Sequence, residues 1–460
     1  MRRLSKQELS QRGKAARKQV GRRSHAEVPT ARTRGDAVSI LAKQDATRLP
    51  ELLGLRYARM SESPFTFLRG SAAVMAADLS RSPTTAVLTQ LCGDAHILNV
   101  ETFATPERRL VFDITDFDET ARGPFEWDLK RMATSLVVAA RAQNFDRHIG
   151  AEAVYACLAR YRSRLRNHRD ADFLDVWYAN VSAKEVGAAL SDSGVDAKHL
   201  ATLETTLGQV FKKARKRTSK RAARRLTETA DGRLRIREDP PVLSRNALGP
   251  DRQARAAQFL KSYAASLPAH RRSLLERFEV VDAARRVVGV GSVGTRCYVI
   301  LLHGRDASDP LVLQVKEAGP SVLTPYISTP VPQPHGRRVV EGQRIMQTAS
   351  DIFIGWLRAV GPDGVERDFY MRQFRDMKGS IDIEDLDAVG LVAYAELCGH
   401  LLADAHARGG HAAELAGYLG KSDGFIEALI QFAQSYADVT EQDHARLCKA
   451  IRNGQVPSAL

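Results

Sequence analysis

Two short acidic clusters lie close together in an apolar stretch of the chain. The first is "GDAHILN" (93–99), and the second is "VFDITDFDE" (111–119). Burying a carboxylate costs free energy unless a cation, a proton or a hydrogen-bond donor compensates it. The two clusters therefore predict a site in which these acids meet a cation.

The oxygen-rich side chains of the clusters fit a magnesium-dependent phosphoryl-transfer site. Such a site needs an Asp near the attacking hydroxyl, an amide oxygen on the metal and a further metal-binding Asp. Asp94 is the candidate to orient or deprotonate an acceptor hydroxyl, and Asn99 follows five residues later as a metal ligand. Asp116 is the second predicted ligand, and Asp118 is a candidate ligand for a second metal.

Other interpretations of the clusters stay open at this point. His96 is more typical of a structural histidine than of a chemical one, and Asp113 fits a capped strand residue as well as it fits a ligand. A Ca²⁺ loop is disfavoured because the Gly and the terminal Glu of EF-hand spacing are missing. A metal-dependent hydrolase would also use Asp, His and Asn, but it would not need the nucleotide-binding features described next.

A glycine-rich run, "VGVGSVGT" (288–295), contains the pattern G-x-G-x-x-G. A dinucleotide-binding fold would continue into a helix, whereas "TRCYVILL" is β-branched and aromatic and predicts a strand. The run also lacks the G-K-[ST] ending of a P-loop. A glycine loop between antiparallel strands covers the nucleotide in protein-kinase-like enzymes. The predicted nucleotide-binding residues of this loop are Gly289, Gly291, Ser292 and Gly294.

A kinase-like interpretation requires a lysine on the next strand, directed at the phosphates. Lys316 in "LVLQVKEA" lies 22 residues beyond Gly294, with "HGRDASDP" as an enlarged hairpin between them. A glutamate on the following helix should hold this lysine, and Glu341 in "RRVVEGQRIM" is the candidate. A strand-edge lysine and a solvated helix glutamate are each common. Their joint occurrence in this order favours the kinase-like interpretation.

The predicted secondary structure is mostly helical with one β-rich stretch. Apolar periodicity predicts helices over 36–62, in "FEWDLKRMATSLVVAARAQ" and from about 385 onward, and "SPFTFLRG" is predicted as a loop or short strand. Five strands and one helix are predicted between about 279 and 380. The fold class is therefore α+β, with a small β-rich lobe and a larger, mostly helical lobe.

The order of the motifs differs from that of ordinary kinases, because Asp116 precedes Gly289 by 173 residues. We therefore predict a two-lobed protein-kinase-like fold that is circularly permuted, since permutation preserves packed contacts where chain ends meet at the surface. "RQFRDMKGS" (372–380) is the predicted hinge. The predicted units are a basic disordered tail (1–35), a helical large lobe with the catalytic loop and metal strand (36–278), a β-rich nucleotide-binding small lobe (279–380) and the helical remainder of the large lobe (381–460).

The net charge of +14 is concentrated in two segments. Residues 1–35 and residues 211–225 each carry nine net positive charges, which leaves the other 410 residues at −4. Nucleic-acid binding by the whole fold is disfavoured, and weak polyanion contact through these two segments stays open, although a solvated helix face is the commoner use of such a run.

The composition is that of a soluble protein, with 44% hydrophobic and 27% charged residues. The most apolar run, 389–403, is interrupted by Glu396 and His400 and is too short to span a bilayer, so we expect no membrane partner. Five scattered cysteines without a C-x-x-C pair indicate a reducing, cytoplasmic location rather than disulfides or zinc.

The motifs resemble those of known families. "GDAHILN" is similar to the Gly-Asp-x-His-x-x-Asn loop of aminoglycoside-phosphotransferase-type and choline-kinase-type enzymes, and "GPFEWDLKRM" to the segment of those enzymes that ends in Asp-Leu-Ala. In that comparison Asp128 is a structural acid that braces the catalytic loop. From about 35 to 450 the chain resembles the bacterial family catalogued as domain of unknown function 2252, on motifs such as "EGQRIMQ", "FYMRQFRDMKGS" and "LADAHARGG". The resemblance implies a bacterial source and directs attention to Arg69, which could be a phosphate-binding fork or a structural residue.

These features together predict an ATP- and Mg²⁺-dependent phosphotransferase acting on a hydroxyl acceptor, which the His-containing loop suggests is a small molecule. In that scheme Lys316 contacts the α- and β-phosphates. The alternatives are transfer of AMP to proteins through the same metal site, and a non-catalytic nucleotide- or nucleic-acid-binding protein that uses its basic segments.

Overall fold

A computed structural model describes residues 4–182, 197–230, 233–374 and 377–457. The fold is α+β, with about half of the chain in helices and several antiparallel sheets, as predicted. The helices are α1 (Lys6–Gln19), α2 (Ala37–Asp45), α3 (Leu53–Ser61), α4 (Pro64–Gly70), α5 (Ala72–Leu79), α6 (Glu126–Ala142), α7 (Arg147–Asp170), α8 (Phe173–Tyr178), α9 (Ala197–Arg215), α10 (Ser219–Leu226), α11 (Arg252–Ala264), α12 (Ala269–Leu275), α13 (His335–Met346), α14 (Ala388–Gly409), α15 (Ala412–Leu419) and α16 (Gly424–Arg452). The strands are β1 (Leu88–Leu91), β2 (Val100–Ala104), β3 (Leu110–Ile114), β4 (Ala121–Pro124), β5 (Val181–Ser182), β6 (Thr227–Ala230), β7 (Arg233–Ile236), β8 (Leu243–Ser244), β9 (Glu279–Arg286), β10 (Cys297–His303), β11 (Pro310–Glu317), β12 (Gly355–Val360), β13 (Glu366–Gln373) and β14 (Gly379–Ser380).

The largest sheet has six antiparallel strands in the order β12-β13-β11-β10-β9-β8. The side chains of its central strand β10 contribute alternately to two hydrophobic cores, because successive side chains point to opposite faces of the sheet. Ile300 packs with α11 and α12 on one face, whereas Val299 and Leu301 pack with α10 on the other. We call residues 219–374 the sheet unit.

Residues 4–182, 197–215 and 377–457 form the helical body. Its core is built mainly from α6, α7, α14 and α16 around the hairpin of β2 and β3. Helices α7 and α14 approach closely at Gly399, where an added Cβ would lie 2.0 Å from the carbonyl oxygen of Cys157. The hairpin belongs to a four-stranded sheet of order β14-β2-β3-β5, so the chain returns to the body through β14.

The chain crosses between the body and the sheet unit twice, and the two crossings lie side by side. One is the turn after α9 at Arg217, and the other is the predicted hinge run that connects β13 to β14, of which 375–376 lie outside the described residues. The Met377 amide donates to the Arg217 carbonyl at 2.9 Å, and the Arg217 guanidinium donates to the Lys378 carbonyl at 3.1 Å.

The prediction of a disordered tail is wrong for the described part of residues 1–35. Helix α1 has a Ser5 capping box and packs on α15, where an added Cβ at Gly13 would lie 2.0 Å from the Glu414 carbonyl oxygen. Arg17 and Arg22 donate to carbonyl groups at the end of α15. The tail therefore folds through tertiary contacts, which a lack of apolar periodicity does not reveal.

Residues 64–70 form helix α4 and not the predicted loop or short strand. Ser63 accepts a hydrogen bond from the Thr66 amide, and Pro64 occupies the first helical position. This N-terminal cap outweighs the strand preference of the two phenylalanines.

Among the described helices, α14 alone is long and apolar enough by composition to cross a membrane, and 83% of its apolar window is buried inside the fold. All five cysteines are free, and four of them are buried.

Candidate functional site

A cavity of about 610 Å³ opens where the sheet unit meets the helical body. Its walls include residues from both acidic clusters and from the glycine loop and its following strands, which are separated by some 170 residues in sequence. Of the predicted site residues, those that line the cavity are Arg69, Asn99, Asp116, Gly289, Ser292 and Lys316.

Lys316 is the residue that joins the two halves of the cavity. It lies near the end of β11, opposite Cys297 of β10, and its side chain is only 6% exposed. Its ammonium group donates to Oδ2 of Asp118, whose Oδ1 accepts from the Tyr370 hydroxyl at 2.7 Å. Burial alone would lower the pKa of Lys316, but the carboxylates of Asp118 and Asp116 outweigh it and raise the pKa well above its usual value. The lysine is therefore charged.

Asp116 lies just beyond β3 and faces the cavity. Its Oδ1 accepts a hydrogen bond from the Asp118 amide at 3.2 Å. Burial would raise its pKa, but Lys316 and Arg372 lower it below the usual value. Asp116 is therefore ionised and available to bind a cation from the cavity side.

Asp94 and Asn99 are positioned by the short turn between β1 and β2. The Asn99 amide nitrogen donates to the Asp94 carbonyl at 2.7 Å, which directs its amide oxygen away from that contact. Oδ1 of Asp94 accepts from the Arg131 guanidinium at 2.7 and 2.8 Å. Within the described residues Oδ2 of Asp94 accepts no hydrogen bond, and Nε2 of His96 lies 4.0 Å from it. Asp94 itself is not among the residues that line the cavity.

His96 is buried and neutral. Burial lowers its pKa to about 4, and its Nδ1 has no hydrogen-bond partner among the described residues. It does not line the cavity. This placement agrees with the structural interpretation of the residue rather than with a chemical role.

Asp128 fixes the loop that carries Asp94. Its two carboxylate oxygens accept from the backbone amides of Cys92 at 2.8 Å and Gly93 at 3.0 Å, and His406 lies 3.3 Å from Oδ2. Because Asp128 projects from the first turn of α6, the loop is held against a rigid helix. The bracing role suggested by the family resemblance is present.

Asp113 is a structural residue and not a ligand of the cavity. Its oxygens accept from the amides of Ile114 and Thr348, and Arg408 lies 3.6 Å away. Burial raises its pKa to about 6.

The glycine loop connects β9 to β10, which are antiparallel as predicted. Gly289 and Ser292 line the cavity, as expected of nucleotide-binding residues. Gly291 and Gly294 were also predicted to bind the nucleotide, but they face the helical body and do not line the cavity. Gly294 has φ +90°, a conformation that favours glycine. Three residues of the helical body attach the loop through hydrogen bonds to its carbonyl groups. Arg48 donates to Gly291 and Val293. The Leu49 amide donates to Gly294, and Arg59 donates to Gly289.

Arg69 contributes an uncompensated cation. It ends α4 beside the cavity, and burial is the main influence that lowers its pKa, while Asp94, Glu101 and Asp116 raise it. Its Nε is buried without a hydrogen-bond partner, and no ion pair of the guanidinium is present within the described residues. A half-buried guanidinium with an unpartnered Nε is costly unless an anion binds it, so its place beside the cavity favours a phosphate-binding role over a structural one.

The prediction that Glu341 holds Lys316 is wrong. Glu341 is paired with Arg337 one turn earlier, at 2.7 Å, and its side chain is 36% exposed. The face of α13 that borders the cavity carries Gln343 and Gln347 instead. Asp118 takes the predicted position beside Lys316, and its role as a ligand of a second metal stays a prediction.

Glu101, Arg372 and Lys378 are among the charged cavity residues that the sequence prediction missed. Glu101 on β2 accepts from Thr115 and pairs with Lys378, and Arg372 contacts the Thr115 carbonyl at 3.3 Å. Glu101 could have been found, since it alternates with buried neighbours only two residues beyond Asn99. Arg372 and Lys378 belong to the predicted hinge run, whose side chains sequence alone does not orient.

The cavity carries a clear surplus of positive charge. Eight Lys and Arg side chains and three carboxylates line it, a formal excess of five positive charges. Two of the carboxylates are already engaged, because Glu101 pairs with Lys378 and Asp351 accepts from the amides of Phe353 and Gln373. The cavity therefore suits a polyanionic ligand. The eight cationic residues are Arg59, Arg69, Arg108, Arg217, Arg286, Lys316, Arg372 and Lys378.

Within the described ranges no group of three or more His, Cys, Asp or Glu side chains is arranged to hold a metal ion by itself. Mg²⁺ does not require such a group, because it commonly binds through one or two carboxylates together with phosphates and water. Asp116 and the amide oxygen of Asn99, both on the cavity wall, fit that donor set.

The fold and the cavity define an α+β protein with a cavity of mainly cationic lining between a helical body and an antiparallel sheet unit. The chain belongs to the family described as "uncharacterized protein conserved in bacteria" (DUF2252), whose profile matches residues 48–450. No curated protein and no solved structure matches the chain.

Proposed function

We propose that this protein is an ATP- and Mg²⁺-dependent phosphotransferase with a circularly permuted kinase-like arrangement. The observation that carries the proposal is the ion pair of Lys316 with Asp118, two residues from Asp116, at a cationic cavity that a glycine loop also lines. Kinases place a glycine loop, a lysine on the third strand and an Asp/Asn metal site around the same phosphates.

The topology supports this proposal. Strands β9 to β11 form a meander with the glycine loop between the first two strands and Lys316 on the third, and α13 follows before β12 and β13. In the helical body, "GDAHILN" is followed by the β2–β3 hairpin and then by Asp116. The permutation changes the order of the two parts along the chain while each part keeps its internal order.

Each residue has a role that its position permits. Lys316 and Arg69 bind phosphate oxygens, and Gly289 and Ser292 of the glycine loop line the same cavity. Asp116 and Asn99 hold Mg²⁺, which when bound would neutralise charge on the phosphates. Oδ2 of Asp94 orients the acceptor hydroxyl and accepts its proton as the phosphoryl group moves to the acceptor oxygen, while Arg131 fixes Oδ1.

The apolar part of the cavity suits a nucleobase. Its apolar lining residues include Val287, Val288, Ile352 and Phe374, and Phe374 follows β13 at the crossing to β14. The guanidinium of Arg286 lies 4.4 Å from the ring centroid of Phe374 and keeps that ring in place.

A thermal-shift measurement tests the nucleotide and metal site. ATP with Mg²⁺ should raise the melting temperature of the wild type, because a ligand at about 100 times its Kd stabilises the native state by about 2.7 kcal/mol. Asp116→Asn should lose the Mg²⁺-dependent part of the shift. Glu341→Gln, a change on the exposed side of α13, is the matched control and should keep the full shift.

Labelled ATP then decides the reaction. Incubation with a bacterial metabolite extract should transfer label from γ-labelled ATP and none from α-labelled ATP to a product that requires Asp94. Transfer from α-labelled ATP would instead establish AMP transfer. An unchanged Mg²⁺-dependent shift in Asp116→Asn would remove Asp116 from the metal site.

A further inference from the structure

The second positive segment of the chain forms a continuous exposed surface. It covers the end of α9, the turn at Arg217 and α10, and all nine of its cationic side chains are exposed. We call it the basic ridge. Its members are Lys212, Lys213, Arg215, Lys216, Arg217, Lys220, Arg221, Arg224 and Arg225.

The ridge is held in place by its opposite, apolar face. Phe211 and Ala214 of α9 pack in the core of the helical body, and Ala222, Ala223 and Leu226 of α10 pack against the large sheet. The cationic side chains are therefore presented outward from two anchored helices. On α10 the residues Arg221, Arg224 and Arg225 share one exposed face, because they are three and four positions apart.

None of the nine side chains forms an ion pair within the described residues, in contrast to the first basic segment. In residues 4–35 the cationic groups serve to attach the segment, as Arg12 pairs with Glu414, Arg17 donates to Tyr418, and Arg34 pairs with Asp78. Among the described residues, Arg217 is the one ridge side chain with a hydrogen bond to another element, at the carbonyl of Lys378. Nine like charges that pair with no acid in the described part of the chain repel one another and favour an external polyanion.

The ridge is continuous with the cavity, because Arg217 belongs to both. A polyanion on the ridge would thus reach the cationic cavity without crossing an uncharged gap. The combined length of α9, the turn and α10 is also greater than a small ligand needs.

We propose that the basic ridge binds a nucleic-acid strand through its phosphates, with one end of the strand at the cavity. A bilayer is disfavoured because the apolar residues of both helices are turned into the protein and cannot insert. An acidic protein partner is disfavoured because protein interfaces centre on buried apolar or aromatic anchors, and the ridge exposes none. Without exposed aromatic residues the ridge contacts phosphates and does not stack on bases, so binding is independent of sequence.

Fluorescence anisotropy with a labelled single-stranded RNA of about 20 nucleotides tests this proposal. The wild type should bind at low salt, and log Kd should rise linearly with log salt concentration. The triple variant Arg221→Gln, Arg224→Gln, Arg225→Gln should weaken binding at least tenfold and lower the salt slope by about 2, since each phosphate contact on a single strand contributes about 0.7.

The matched control removes three exposed charges elsewhere on the surface, in Arg32→Gln, Arg277→Gln, Arg305→Gln. It should keep the wild-type Kd and slope, and circular dichroism should show that both variants are folded. Three results would each overturn the proposal: no binding by the wild type, equal weakening in the control, or displacement of the RNA by polyglutamate as effectively as by unlabelled RNA. The last result would assign the ridge to an acidic protein. ATP-dependent thermal shifts should be equal in the triple variant and the wild type, so failure of the ridge proposal leaves the proposed activity untouched.

Discussion

Removing the carboxylate of Asp118 should destabilise the protein more than removing the ammonium of Lys316. The Lys316 side chain is 6% exposed and that of Asp118 is 27% exposed, so the lysine depends more on its partner. Leaving one member of a buried pair uncompensated costs about 3–5 kcal/mol. Asp116 remains as a second carboxylate near Lys316, so we expect Asp118→Asn to cost about 2–3 kcal/mol, somewhat less than that range.

The reverse change should be milder. Lys316→Met keeps most of the buried side-chain volume and leaves Asp118 partly solvated, with its hydrogen bond from Tyr370 intact. We expect a cost of about 1–2 kcal/mol for this variant. The double variant should cost about as much as the more severe single variant, which corresponds to a coupling energy of about 1–2 kcal/mol.

Urea unfolding at pH 7, followed by tryptophan fluorescence and by circular dichroism, measures these values if the two signals coincide. The exposed pair of Arg337 and Glu341 is a suitable control, and its coupling should be no more than about 0.5 kcal/mol. If the costs of the two site variants add within about 0.5 kcal/mol, Lys316 and Asp118 do not interact in solution, and the joining of the two halves of the cavity would be refuted.

Three further changes have defined outcomes. Gly93→Ala should cost at least about 2 kcal/mol in urea unfolding, since Gly93 has φ +85° and a Cβ would lie 2.2 Å from the Glu119 carbonyl oxygen; a loss below about 0.5 kcal/mol would contradict this geometry. Asp128→Asn should lower the unfolding free energy by about 1.5–3 kcal/mol, because one charge-assisted hydrogen bond to the loop is lost. It should also speed hydrogen exchange of the amides of residues 92 and 93. Unchanged exchange at these amides would show that Asp128 does not hold the loop. Asp113 has a folded-state pKa of about 6, above its usual 3.8, so the native state favours the protonated form of this side chain. Relative to Asp113→Asn, the wild type should therefore lose up to roughly 3 kcal/mol of unfolding free energy as the pH rises from 4 to 6.5. A difference in unfolding free energy between the two proteins that does not change with pH would rule this out.

The central features of the site could be predicted because they depend on short-range order. A strand after the glycine run follows from the β-branched residues of "TRCYVILL", and the apolar run before Lys316 fixes that residue on the next strand. The five-residue spacing of Asp94 and Asn99 places both on one turn. Asn99 and Lys316 line one cavity, an arrangement that the kinase-like interpretation predicted although the two residues are 217 positions apart in sequence.

The failures have physical causes beyond the local pattern. The sequence does not show which residue of α13 faces Lys316, because the rotation of a helix about its axis is set by packing. In α13 this packing includes the close contact of Gly342 with Thr120, and it leaves Glu341 facing away from Lys316. Helix α1 is stabilised by its contact with α15, which involves residues about 400 positions away. The helix at 64–70 could have been predicted from Ser63 and Pro64, which are typical of a helix start. The strand preference of its two phenylalanines favoured the incorrect prediction.

The paired crossings of the chain at Arg217 and Met377 have a mechanical consequence. Two covalent connections that are hydrogen-bonded to each other tie the sheet unit to the helical body along one edge. Elsewhere the two parts are joined by Arg48 and Arg59, which donate to the glycine loop. Lys316 and Arg338 of the sheet unit add contacts to Asp118 and Thr120 of the body. The width of the cavity is therefore set by contacts on several sides, and widening it requires more of them to break than the two crossings alone.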